Sequence, residues 1–70
     1  MPLTVAPMGN KLEIKRVSGK DETRLFLERL GFVPGSVVEV ITEASGNLIV
    51  NIKDSRVAIG KDLAAKILVA

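Results

Sequence analysis

Seventy residues without histidine or cysteine, at a formal charge of +2, exclude most site chemistry at the outset. The usual zinc, copper and iron ligands are missing, as are the commonest general base and nucleophile, and no disulfide can brace so small a core. Lysines and arginines alternate with acids instead of clustering, so there is no strong nucleic-acid footprint.

This length reads as one domain, residues 1–70, with a thin stability margin. Val, Ile, Leu and Ala supply the compensation, and Phe26 and Phe32 are the only aromatic residues. Without Tyr or Trp the chain cannot line a groove for Pro-rich peptides. Nor does it offer the stacking platforms that single-stranded nucleic acid uses. No apolar run approaches the roughly 20 residues that cross a bilayer. The N-terminus lacks a basic-then-apolar signal pattern, so a soluble, cytoplasmic chain is expected.

Met1 to Asn10 carries Pro2, Pro7, Gly9 and Asn10, which oppose regular structure. It reads as an ordered lead-in whose Leu3, Val5 and Met8 could fold back on the core. Lys11 to Val17 is a half-buried strand: Leu12 and Ile14 share one face, and Lys11, Glu13 and Lys15 the other. Val17 breaks the period by one, which points to a bulge near Lys15-Arg16 or to the strand's end.

Lys20 to Leu30 is the helix. Ser18 or Asp21 could cap it, and Asp21 and Glu22 suit the positive end of its dipole. Thr23, Leu27 and Leu30 form the inward stripe, and Leu25 and Phe26 widen the apolar surface beyond it. Phe26 is either packing at the core's edge or an exposed anchor for a partner. Arg24 and Glu28, four apart in the unfavourable order, make at most a weak pair.

The stretch from Leu27 to Ser36 organises the whole. Gly31 stands where a helix takes a left-handed residue, and Pro34-Gly35 is a turn pair. Phe32, apolar in a segment built for turning, pins that turn to the core.

Beyond it the pattern is short strands. Val37 to Glu43 is β-branched and apolar on much of both faces. Ala44 to Asn47 is a hairpin connection, and Leu48 to Lys53 follows with Leu48, Val50 and Ile52 inward. Asp54-Ser55 is a loop, and Arg56 to Ile59 returns with Val57 and Ile59 inward. Gly60 to Ala65 holds one helical turn that buries Leu63 or Ala64. Lys66 to Val69 closes the chain as a strand.

The expected fold is mainly β with one helix: a small, partly open, five-stranded barrel, with the helix between strands 1 and 2 and a helical turn before the last strand. The run Leu48, Ile49, Val50 would be an edge open to another copy, or one covered by the termini.

Catalytic and metal sites find no material. The adjacent acids Asp21-Glu22 sit where a helix start wants negative charge, which outweighs hard-metal binding. Gly19-Lys20 and Gly60-Lys61 lack the upstream glycine of a phosphate loop. The chain is therefore not expected to be an enzyme, and no cofactor or metal ligand set is assigned.

Several segments together resemble the ferrous-iron transport protein A (FeoA) family. They are Leu27-x-x-Leu30-Gly31-Phe32-x-Pro34-Gly35, then Val37-Val38-x-Val40, then Val57-Ala58-Ile59, and Asp62-Leu63-Ala64 ahead of Ile67-x-Val69. Leu3, Gly9 and Lys11 to Val17 fit the family's opening, and Phe26 departs from the polar residue expected there. The resemblance implies an SH3-like barrel. It also implies a small cytosolic accessory of the iron permease FeoB, a membrane protein with a cytosolic GTPase domain. The candidate partner-binding patch is Arg24, Phe26, Arg29, Phe32 and Val33. An activating arginine could come from Arg24, Arg29 or Arg56, though surface solubility explains all three. Alternatives are the detached SH3-like domain of an iron-dependent transcriptional repressor, a general protein-interaction module, or a ribosome- or RNA-associated module. Met1 and the absence of a linker favour a complete chain over the detached domain.

Overall fold

Alternation of apolar and polar residues sorts most strands of this chain between an inner and an outer face, and the computed structural model, which describes residues 1–70, follows that sorting. The strands are β1 (Lys11–Val17), β2 (Val37–Ala44), β3 (Asn47–Ile52), β4 (Ser55–Gly60) and β5 (Ile67–Val69). Helix α1 (Asp21–Leu30) joins β1 to β2, and α2 (Lys61–Ala64) precedes β5. The sheet is antiparallel with the order β4-β3-β2-β1-β5, and its ends β4 and β5 are not paired, so the barrel stays open.

Two register shifts bend it. The first lies between Ile14 and Arg16, at the bulge position that the broken period of β1 predicts. It lets one strand serve two neighbours: Lys11 to Glu13 pair with β2, and Ile14 to Val17 with β5. The second lies between Val40 and Thr42 in β2. A bulge adds a residue and local twist, which wraps a narrow sheet around its own interior.

The interior is aliphatic except for Phe32, which is fully buried, and contains no buried polar side chain. Ile14, Val38, Val40, Leu48, Val50, Ile52, Ile59, Ile67 and Val69 come from the strands, and Leu27 and Ala64 from the helices. In the lead-in, Leu3 is buried within a short 3-10 turn, Leu3–Val5. Val5 and Met8 stay exposed, so only one of the three apolar residues there folds back.

Both hairpins close on two residues. Ser45 and Gly46 have φ of 52° and 80°, and Lys53 and Asp54 have φ of 47° and 64°. Two positive-φ residues in succession match the twist of the flanking strands. The second turn is therefore Lys53-Asp54 instead of the expected Asp54-Ser55, and Ser55 pairs with Ile52 inside the sheet. The run Leu48-Ile49-Val50 is not an edge: β3 pairs with β2 on one side and β4 on the other.

Candidate functional site

Helix α1 is held at its ends and free along one side. Its N-cap is Lys20, with no side-chain cap; the Ser18 hydroxyl instead donates to the Lys66 carbonyl at 3.2 Å. Asp21 lies inside the first turn and pairs with Arg24. At the C-terminus Gly31 adopts φ of 106°. Its N–H donates to the Glu28 carbonyl at 2.9 Å, and the Phe32 N–H donates to the Leu27 carbonyl at 2.9 Å. This pair of bonds is the Schellman closure, which a left-handed glycine makes without strain. It turns Phe32 directly into the core.

Residues three and four apart share a helix face, whereas neighbours two apart lie nearly opposite. Leu27 points inward and is fully buried, with Thr23 and Leu30 half-buried beside it. Leu25, Phe26 and Arg29 therefore lie together on the outer side. Leu25 is 51% and Phe26 50% exposed, so Phe26 is not part of the core. Arg29 has no carboxylate within ion-pair distance, since the three ion pairs are Lys15–Glu13, Arg24–Asp21 and Lys61–Glu43.

This geometry divides the sequence-derived patch. Phe26 and Arg29 share one face. Arg24 sits two residues from Phe26, on the far flank of the helix, occupied by Asp21. Phe32 is removed from any docking surface because its side chain is entirely within the core. Val33 is half-buried in the turn that follows. Leu25 belongs with Phe26; its spacing from Arg29, four residues, was the signal in the sequence that places it there.

A second surface feature is a shallow, open groove across the start of β2 and the β3–β4 turn. Lys11, Ser36, Glu39, Asn51, Lys53 and Asp54 supply its polar wall, and Val37 and Ile52 its apolar part. Charges of both signs alternate around it. No group of three or more acids gathers anywhere to hold a metal ion. Neither surface carries a histidine or a cysteine, the commonest base and nucleophile. No helix is long and apolar enough to cross a membrane.

The comparisons agree over the full length. The FeoA domain family model matches residues 1–70. An Fe(2+) transport protein A of Methanocaldococcus jannaschii is 34% identical over 68 residues, which is 97% of this chain and 83% of that one. The crystal structure of an iron uptake regulatory protein, FeoA, superposes with a TM-score of 0.89 at 32% identity, covering 99% of this chain and 92% of the other. A manganese-dependent transcriptional repressor carries the same fold in 40% of its length, with a TM-score of 0.88 over 99% of this chain at 21% identity, a likeness of fold alone.

Proposed function

The chain belongs to the FeoA family, a set of small non-catalytic domains of the ferrous-iron uptake machinery, and on that premise we propose that it docks through the outer face of α1 onto the cytosolic GTPase part of a FeoB-like iron permease. The observation that carries this reading is the pair Leu25 and Phe26, half exposed side by side next to the unpaired Arg29. Large apolar side chains left outside a core mark contact surfaces, and an aromatic beside an arginine is the usual composition of an interface hot spot. Val33, half-buried in the turn that follows, is proposed as a further apolar contact. Ferrous iron enters this account as the cargo of the transporter, not as a ligand of this chain.

Burying Leu25 and Phe26 against an apolar pocket would contribute roughly 1.5–3 kcal/mol, taking about 1.5–3 kcal/mol per fully buried side chain and both as already half-buried. That is a useful part of a micromolar affinity, about 8 kcal/mol, and suits reversible regulation. Arg29 would reach the partner's acidic surface and set orientation more than strength.

Titration calorimetry against the permease's cytosolic domain, with and without a GTP analogue, tests the reading. Nucleotide-dependent binding would identify a regulator of the GTPase, and binding blind to nucleotide an assembly role. Phe26→Asp should leave the far-ultraviolet circular dichroism unchanged and abolish the heat of binding. A correctly folded Phe26→Asp chain that binds as well as the parent removes α1 from the interface. No binding by the parent chain at near-millimolar concentration removes the permease and brings forward the repressor-type role that the shared fold permits.

A further inference from the structure

The two ends of the sheet are finished differently. At β5 the chain's own start closes the edge: the Val69 N–H donates to the Met1 carbonyl at 2.7 Å, the Met1 ammonium donates to the Val69 carbonyl at 2.8 Å, and Pro2 bridges to Leu68. Nothing covers β4. Its hairpin closes on two residues, so Ser55, Val57 and Ile59 turn their backbone bonds toward β3. Arg56, Ala58 and Gly60 turn theirs outward, away from the sheet. An open row of this kind is a template for another strand.

We propose that this edge pairs with the β4 edge of a second copy, antiparallel about a two-fold axis through Ala58. The register follows from the side chains. Only residues whose bonds face outward can pair, which leaves combinations of Arg56, Ala58 and Gly60. Centring on Arg56 would set two guanidinium groups against each other, an unfavourable like-charge pair. Centring on Val57 uses Arg56 and Ala58 and leaves Gly60 idle. Centring on Ala58 uses all three: Ala58 meets its own copy, and Arg56 meets Gly60 on both sides of the axis.

The charges fit this register. A Cβ on Gly60 would lie 2.7 Å from Asp62 Oδ1, so the Asp62 carboxylate occupies the place that a side chain at position 60 would fill. The same hypothetical Cβ lies 3.7 Å from Oδ1 of Asn47, the residue paired with Gly60. Asn47 stands on the outer face with Ile49 and Asn51, opposite the buried Leu48 and Val50. Directly opposed residues of an antiparallel pair hold their Cβ atoms about 5 Å apart. Arg56 of one copy therefore reaches Asp62 of the other, twice by symmetry. Asp62 has no ion pair within the chain, and Lys61 beside it is neutralised by Glu43 at 2.7 Å. Arg56 is held only by a long 3.5 Å hydrogen bond to the Asn51 side chain, which is readily exchanged.

The contact is short, so the dimer is weak and concentration-dependent. Sedimentation equilibrium of the full chain from about ten micromolar to about one millimolar tests it, together with three variants checked for fold by circular dichroism. The parent chain should show a monomer–dimer equilibrium that loosens with salt. Arg56→Asp should weaken association at least tenfold by facing like charges, and Asp62→Arg should do the same. The double swap Arg56→Asp with Asp62→Arg should restore it, which no loss of fold can imitate. A parent chain that remains monomeric throughout overturns the proposal. So does a dimer whose dissociation constant ignores both single substitutions, since its contact then lies elsewhere.

Discussion

The β-meander and helix α1 use their apolar residues in opposite ways. In β2 and β3, Val38, Val40, Leu48, Val50 and Ile52 are all buried, each facing the interior from an alternate position. In α1, Leu27 alone is buried, while Leu25 and Phe26 are left half in water. The meander accounts for the cohesion of the molecule. The helix is fastened to it by Leu27, by the half-buried Thr23 and Leu30 and by the glycine closure that feeds Phe32 into the core, and its outer side is left exposed. Under the proposed docking, stability and recognition are carried by different elements, and a substitution should disturb one without the other.

Substitutions can break that division in order of size. Phe32→Ala should have the largest effect, destabilising by about 3–5 kcal/mol through lost burial and the cavity left behind. A chain of this length has roughly 4–10 kcal/mol in all, at about 0.05–0.15 kcal/mol per residue, so a urea titration should show a folded state near its limit. Binding would be lost with it, indirectly. Gly31→Ala should cost about 1–2 kcal/mol, because the closure needs a left-handed residue. A Cβ there would also lie 3.3 Å from the Lys53 stem and 3.4 Å from Ile52. The same titration should show a lower midpoint with an unchanged slope. Phe26→Asp, half exposed in the parent, should shift the midpoint by no more than about 0.5 kcal/mol. Arg24→Ala should be smallest, a few tenths of a kcal/mol, since it removes only an exposed pair with Asp21.

Most of the fold could be read from period and punctuation. Period two located the strands, the break at Val17 located the bulge in β1, and Gly31 located the helix end, because each reflects local backbone geometry that the residue itself dictates. What period could not supply was sheet order. Leu48 to Val50 looked like an edge because an apolar run does not say which strands flank it; pairing between distant segments placed β4 and β5 outside instead. The Lys53-Asp54 turn was displaced by one residue because neither residue advertises positive φ as glycine would.

The proposed docking patch was legible only in part. Excess apolar surface on the helix singled out Phe26, which stays half exposed, whereas the Schellman closure sent Phe32, equally apolar, into the core. Proximity in sequence put Arg24 beside Phe26, whereas the helical turn separates them and Asp21 occupies the arginine.

The most direct measurement is titration calorimetry of three chains, parent, Phe26→Asp and Arg24→Ala, against the cytosolic domain of the iron permease, each first shown to be folded. Docking through the outer face of α1 requires that Arg24→Ala bind as the parent does, and that Phe26→Asp lose more than tenfold in affinity, at least about 1.4 kcal/mol. Equal affinity for all three, or a loss at Arg24 as large as that at Phe26, would contradict it and move the contact off the outer face of α1.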